Sequence, residues 1–317
     1  MDHILKSVWL SLKYFDLFDY PLKLDQVFKW YFEFQPQKQG SRQIFKPSLE
    51  AIKHSLEILV QQGKIEHQNG FYFLPGRASI IKIRQQRYLI SLNKIKKAQR
   101  IAQLLSLVPG VRMIAICSHL GYLNAGDQAD IDFFIVASPG RIWTVRFWCV
   151  FLMKILNQRP TPKNQKNKIC LSYFITNNNL NLEFTKTKTP DIHLIYLLSQ
   201  YLPIYFSRPD IWFDFCRGNK WIKTYLPNFD FSSITKKYVI ESKLFYFKKI
   251  FELTQFPFEE QLYKKIELAI MPRALKQAMH TYENKVIVND HILKLHLNDK
   301  REEYNRILLS VSQIEPE

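Results

Sequence analysis

Asp130 and Asp132 stand one residue apart at the head of an apolar run, Ile131-Asp132-Phe133-Phe134-Ile135-Val136. On an extended strand, residues two apart project to one face, so the two carboxylates are expected side by side. Carboxylates a few ångströms apart repel unless a proton or a cation lies between them. Such a pair of hard oxygen donors suits Mg²⁺, which keeps several waters and completes its octahedron with phosphate oxygens. Upstream, the β-prone run Arg112 to Cys117 leads into Ser118, and a loop holding Gly121 and Gly126 joins it to the aspartates. A serine hydroxyl and the backbone N–H groups of such a turn can hold a triphosphate. Metal ions bridging there would stabilise the attacking and leaving oxygens of an in-line displacement at phosphorus.

The charge pattern sharpens this. The chain has 317 residues, 45 Lys and Arg against 28 Asp and Glu, and a formal net charge of +17. Between His67 and Leu182 lie sixteen Lys and Arg residues but only three carboxylates: Asp127, Asp130 and Asp132. A long basic stretch attracts polyanions through phosphate contacts and counterion release, or else is a solvated lysine-rich face. The 24 Phe, 16 Tyr and 6 Trp residues exclude a disordered chain. Cys117, Cys149, Cys170 and Cys216 form no CxxC pair, and free thiols in a reducing compartment are expected. No uncharged run approaches the ~20 residues of a membrane span, and no secretory leader is evident. A soluble, cytoplasmic protein without a membrane partner is the expectation.

The elements that would position these residues fall into four segments. Over 1–78, helical apolar spacing runs from His3 to Phe15 and resumes over Leu24 to Phe32. After a polar loop (Gln35 to Ser41), Pro47 stands at a helix start and Gly63 at its end. Lys64 to His67 and Phe71 to Leu74 then flank Asn69-Gly70, a strong hairpin signal. Ser79 to Leu107 forms one long helix without an acid. Strands are expected at Arg112–Cys117, Ile131–Val136 and Lys168–Ile175, with a helix at Arg141–Leu156. From Asp191 onward the pattern is helical, with breakers at Pro203, Pro209 and Pro227. Trp143, Trp212 and Trp221 are expected as core anchors. Arg141 and Arg146 suit surface positions better than a phosphate site, and His193, His291 and His296 form no metal-ligand spacing.

Strand, serine turn, helix and Asp-x-Asp strand together resemble the nucleotidyltransferase fold of the DNA polymerase beta superfamily. The run Ser118-His119-Leu120-Gly121-Tyr122-Leu123-Asn124-Ala125, followed by Asp130-Ile131-Asp132, is similar to uncharacterised bacterial members carrying an N-terminal winged helix. Their signature reads roughly Gly-Ser-x-Ala-x-x-Asn-Ala, then Ser-Asp-Ile-Asp. The run Tyr14 to Asp25 likewise resembles the first two helices of bacterial winged-helix domains. The resemblance implies an α+β protein: winged helix (1–78), connecting basic helix (79–107), polymerase-beta-like nucleotidyltransferase core with a mixed sheet (108–190) and helical C-terminal domain (191–317). It implies Asp130 and Asp132 as catalytic metal ligands, Mg²⁺ as cofactor, and Ser118, with Cys117 and Gly121 around it, as the nucleotide-binding turn. Asn124-Ala125 would pack the intervening helix. A nucleoside triphosphate is the implied substrate, its acceptor unidentified, and nucleic acid along 77–112 a further expected partner.

Two departures stand out. Cys117 occupies the place of the glycine before the serine, where a side chain would either crowd phosphate or turn into the core. The third carboxylate that the superfamily carries on the next strand is missing: Cys170 and Ser172 hold the alternating positions, and Glu183 and Asp191 are the first acids beyond. A nucleotidyltransferase and a catalytically degenerate nucleotide-sensing or nucleic-acid-binding regulator both remain open on these residues.

Overall fold

The computed structural model describes residues 3–34, 45–241, 258–281, 285–297 and 299–312. The polar loop expected over 35–41 lies outside them. Helices α1 (His3–Asp16), α2 (Leu24–Lys29) and α3 (Leu49–Gln61) are followed by the hairpin β1 (Glu66–Gln68) and β2 (Phe71–Phe73). The order matches that read from the apolar spacing. Ser48 caps α3 by accepting from the Ala51 amide at 3.1 Å. Asn69 and Gly70 both take positive φ, 53° and 77°, as a tight two-residue hairpin turn requires.

The acid-free helix is α4 (Ile80–Leu105), 26 residues long. Its cations do much of their work inside the protein. Arg84 donates to the Pro21 carbonyl and lies 4.1 Å from the Tyr20 ring centre, and Arg87 donates to the Phe18 carbonyl at 2.8 Å. Arg77, just before the helix, pairs with Asp16 and Asp19 at 3.1 and 2.7 Å. Lys94 is 3 % exposed. The basic stretch over 77–112 is therefore divided: Arg77, Arg84, Arg87 and Lys94 bind this chain's own oxygens, while Lys82, Lys96 and Arg100 are exposed.

Next come β3 (Val111–Ile116), the single turn α5 (Ser118–Gly121), β4 (Ile131–Ala137), α6 (Ile142–Ile155) and β5 (Ile169–Thr176), all close to the expected bounds. The fold is α+β with a mixed sheet. β4 and β5 are parallel, as the crossover through α6 demands, whereas β3 and β4 are antiparallel. The expected helical region after Asp191 does supply α7 (Ile192–Ser199), α8 (Pro209–Gly218), α9 (Phe258–Ile270), α10 (Arg273–Thr281) and α11 (Arg301–Ser312). It also supplies three strands that helical spacing did not foresee: β6 (Leu202–Phe206), β7 (Val286–Val288) and β8 (Ile292–Leu295). The sheet order is β6-β3-β4-β5-β8-β7. Pro203, read as a breaker, sits inside β6, and an edge strand tolerates the missing N–H.

Two apolar layers sandwich this sheet. On one face Ile131, Phe133 and Ile135 pack with α4 and α6. On the other, Phe134, Val136, Tyr173 and Ile175 join a cluster running from Leu5 and Phe15 to Leu226 and Leu308. This second core crosses the expected boundaries at 78 and 190. Trp143 and Trp212 are buried as anticipated, while Trp221 is only partly so.

Candidate functional site

Asp132 shares its sheet face with Phe134 and Val136, and Asp130 lies two residues back at the mouth of the strand. Facing them on β5 is Cys170, the register partner of Asp132. The register shifts between Asp132 and Phe134, so that Phe134 meets Tyr173. This bulge lets Cys170 and Ser172 share the polar end of a face that Tyr173 and Ile175 then continue into the core. One donor atom from each of Asp130, Asp132 and Cys170 comes within 4.8 Å of the others, and all three residues are partly accessible. Among the described residues no third carboxylate joins this group. Glu183, in a single 3-10 turn (Glu183–Thr185), pairs with Lys186 at 2.8 Å. Asp191 is fully buried, caps α7 through the Leu194 amide at 3.0 Å and binds Arg301. Neither supplies the missing acid.

Ser118 belongs to the same site. The Ser118 and Cys170 side chains lie beside the Asp132 carboxylate and partly offset the rise that burial imposes on it. The Cys117 amide donates to the Asp132 carbonyl at 3.1 Å, tying the serine turn to the acidic strand. Cys117 has φ −124°, open to any residue, and its side chain is buried. The left-handed angle falls on Ser118, at φ 57°. A cysteine in place of glycine is thus accommodated by turning inward. Gly121 has a different reason to be glycine: a Cβ there would lie 2.3 Å from the Gln200 carbonyl oxygen. Packing accounts for Gly121, which the sequence placed in the nucleotide-binding turn. Asn124 donates to the Phe18 carbonyl at 2.8 Å, and the Ala125 amide donates to Ser91 at 3.0 Å.

The loop before the aspartates is held from below. The Lys94 ammonium donates to the Asp127 and Ala129 carbonyls and to Asn167 Oδ1, at 3.1, 2.6 and 2.7 Å. Asp127 itself is exposed and paired with Lys166 at 2.7 Å. By contrast, Asp130 and Asp132 make no ion pair among the described residues, although this is the most basic part of the chain. Burial, then the neighbouring Asp132 charge, pushes Asp130 up to about 6, and burial raises Asp132 as well. Burial, then the Asp132 charge, raises the Cys170 thiol far above its ordinary range. Without a cation, this group resists losing its protons. Arg141 and Arg146 do not reach it; they pair with Glu259 at 3.7 Å and Glu267 at 3.1 Å.

Behind Ser118 lies a cavity of about 210 Å³, lined among others by His119, His193, Tyr201, His296 and Arg301. Burial lowers His119 and His193 to about 4, so both are neutral hydrogen-bonding rings at pH 7. The Tyr201 hydroxyl and Gln200 Nε2, both on the lining, are buried without a protein partner. Next to them Lys294, Asp299, Arg301 and Asp191 form a buried ion cluster, with Lys294–Asp299, Arg301–Asp299 and Arg301–Asp191 at 2.9, 2.9 and 3.0 Å. Sequence reasoning missed this cluster and the approach of His296, which bonds Ser172 Oγ at 2.9 Å. Residues more than a hundred positions apart meet here, and no local spacing announces them.

No helix in the described residues is long and apolar enough to cross a membrane. Comparison with family models, curated proteins and solved structures finds no significant match.

Proposed function

We propose that this chain moves a nucleotidyl group from a nucleoside triphosphate to an acceptor, with a divalent cation on Asp130 and Asp132. The observation that carries the reading is the unneutralised acidic pair, gathered on one strand mouth beside the Ser118 turn, whose Cys117 amide is bonded to the Asp132 carbonyl. The donor set fits a divalent cation: two carboxylates that resist ionisation side by side become favourable once +2 charge lies between them. Mg²⁺ is the ion expected from the carboxylates alone. Bound there, a cation would polarise phosphate oxygens and draw off the charge of the leaving group.

This chain's own groups would do the rest. Asp130 and Asp132 would orient the triphosphate through the ion, and the Ser118 hydroxyl would donate to a phosphate oxygen. Lys94 fixes the loop through three hydrogen bonds, so the carboxylates need little reorganisation when a ligand arrives. The cavity behind Ser118, with the unpartnered Tyr201 hydroxyl and Gln200 amide, offers room for the acceptor or for the nucleoside.

One observation favours a second reading. Cys170 stands where an active centre would carry its third carboxylate, which supports a nucleotide sensor with slow or no turnover. Labelled-nucleotide transfer, run with calorimetric titration of nucleoside triphosphate and cation, separates the two. Cation-dependent binding with transfer, both lost in Asp130→Asn/Asp132→Asn, supports the enzyme. Binding without transfer supports the sensor. Cation-independent binding in a folded double variant would sink both.

A further inference from the structure

Cys170 is more than a gap in an acidic triad. We propose that Asp130, Asp132 and Cys170 form a three-ligand site for a thiophilic divalent cation of the Zn²⁺ class, with Cys170 bound as thiolate. The proposal rests on reading Asp130 and Asp132 as cation ligands, but not on nucleotidyl transfer.

Geometry is the first argument. Donor atoms around a tetrahedral zinc lie about 3.3–3.8 Å apart, given Zn–O near 2.0–2.2 Å and Zn–S near 2.3 Å. The three donors here already lie within 4.8 Å of one another, so small side-chain shifts close the site. They come from two adjacent strands held in register, with Cys170 directly across from Asp132.

Donor chemistry is the second. Mg²⁺ demands oxygen ligands in near-ideal octahedral geometry, and a sulfur in the third position serves it badly. Thiolate sulfur selects zinc and its softer relatives. Three protein ligands leave a fourth position open to water or to a ligand oxygen, the arrangement of reactive rather than structural zinc sites.

The third is that the thiol is oriented from outside. Cys170 Sγ donates to Ser172 Oγ at 3.2 Å, and Ser172 Oγ is bonded to His296 Nε2 at 2.9 Å. Arg159, donating to the Ile169 carbonyl at 3.0 Å, places a guanidinium beside the group and offsets its charge. Two carboxylates and a thiolate around a +2 ion leave one net negative charge for that cation to balance. Binding releases the thiol proton to solvent as the S–metal bond forms; no electron changes hands.

Co²⁺ and Cd²⁺, added alone to the protein after chelator treatment, report thiolate ligation by their ligand-to-metal absorption. The expected result is a thiolate band at one equivalent of Co²⁺ and Zn²⁺ affinity at least 100-fold above that for Mg²⁺. Cys170→Ser abolishes the band and weakens Zn²⁺ binding about 10–100-fold or more, on the scale of disturbed metal sites. Mg²⁺ affinity stays unchanged in Cys170→Ser and rises in Cys170→Asp. Cys170→Ala, checked by its melting curve, gives a second variant should the serine disturb folding. A Co²⁺ complex without a thiolate band, lost in Asp130→Asn, would leave the carboxylate site standing and overturn the role of Cys170. A band that survives Cys170→Ser and Cys170→Ala would overturn it equally. Wild type that binds no divalent cation at all would overturn both this site and the cation reading of the aspartates.

Discussion

Cys170 faces Asp132 across the parallel β4–β5 pair, its sulfur within 4.8 Å of a carboxylate oxygen of both Asp130 and Asp132. The relationship exists because β5 bulges just beyond Cys170, so that the strand changes face between its polar mouth and its apolar body. Bulges of this kind recur beside functional sites, where they re-aim a side chain. The acidic pair also costs the ion-free protein stability, since two partly buried carboxylates without an ion pair repel. Asp132→Asn should therefore raise the melting temperature in chelator, by the equivalent of about 1 kcal/mol or more. Added Zn²⁺ should raise the wild-type melting temperature and leave that of the variant unmoved. A variant less stable than wild type in chelator would refute the repulsion.

Gly121 and Gly126 give a paired prediction. A methyl at Gly121 meets the Gln200 carbonyl at 2.3 Å, whereas nothing lies within 4 Å of a Cβ at Gly126. Gly121→Ala should cost about 1–3 kcal/mol in urea unfolding, as forced overpacking does, and Gly126→Ala close to nothing. Equal effects in both variants would remove the packing account of Gly121.

What the sequence disclosed follows the range of the interactions involved. The helices at His3–Asp16 and Ile80–Leu105 were visible because their apolar positions repeat at helical spacing, and the hairpin because Asn69-Gly70 is a local turn code. Asp130 and Asp132 were visible because strand geometry alone puts alternate residues on one face. β6 and β8 were not. Their short apolar runs suit a helix or a strand equally, and only pairing with β3 and β5 decides. Cys170 was seen opposite the acidic pair, but only as an absence; that its sulfur joins the donor group depends on register and bulge. Lys94 looked like one more surface lysine on a basic helix, and only the folded loop shows its three acceptors.

That loop is the next test. Removing the Lys94 ammonium leaves the Asp127 and Ala129 carbonyls and Asn167 Oδ1 without their shared donor. Lys94→Met should destabilise by about 1–3 kcal/mol, the cost of stranding buried acceptors. It should also weaken divalent-cation binding, because Asp130 directly follows the released segment. The exposed neighbour Lys96 offers the control, and Lys96→Gln should change neither. Calorimetry with Zn²⁺ reads the second effect, and unchanged affinity in Lys94→Met would show that the loop holds its shape without the lysine.

The buried ion cluster sets the acid limit of stability. Burial alone would push Asp299 up, but the Lys294 and Arg301 charges and hydrogen bonds outweigh it and hold the carboxyl down at about 2, from an ordinary 3.8. A depressed carboxyl binds protons more weakly folded than unfolded, so its contribution is present above pH 4 and lost as pH falls toward 2. The gap corresponds to about 2 kcal/mol. Lys294 moves against its own charge: burial, then Arg301, lowers it to about 8 despite the pairing with Asp299. A depressed amine penalises the folded state below its folded pKa, and that penalty is relieved as pH rises from about 8 toward 10.5. The two limbs therefore slope the same way, each gaining stability with rising pH, but in separate windows. Urea midpoints between pH 2 and 4 should fall more steeply with acid in the wild type than in Asp299→Asn. The variant should start less stable at pH 6, since it leaves Lys294 without its carboxylate. Parallel slopes in the two proteins would mean that the cluster is held by Asp191 and Arg301 alone, with Asp299 contributing no charge that folding depends on.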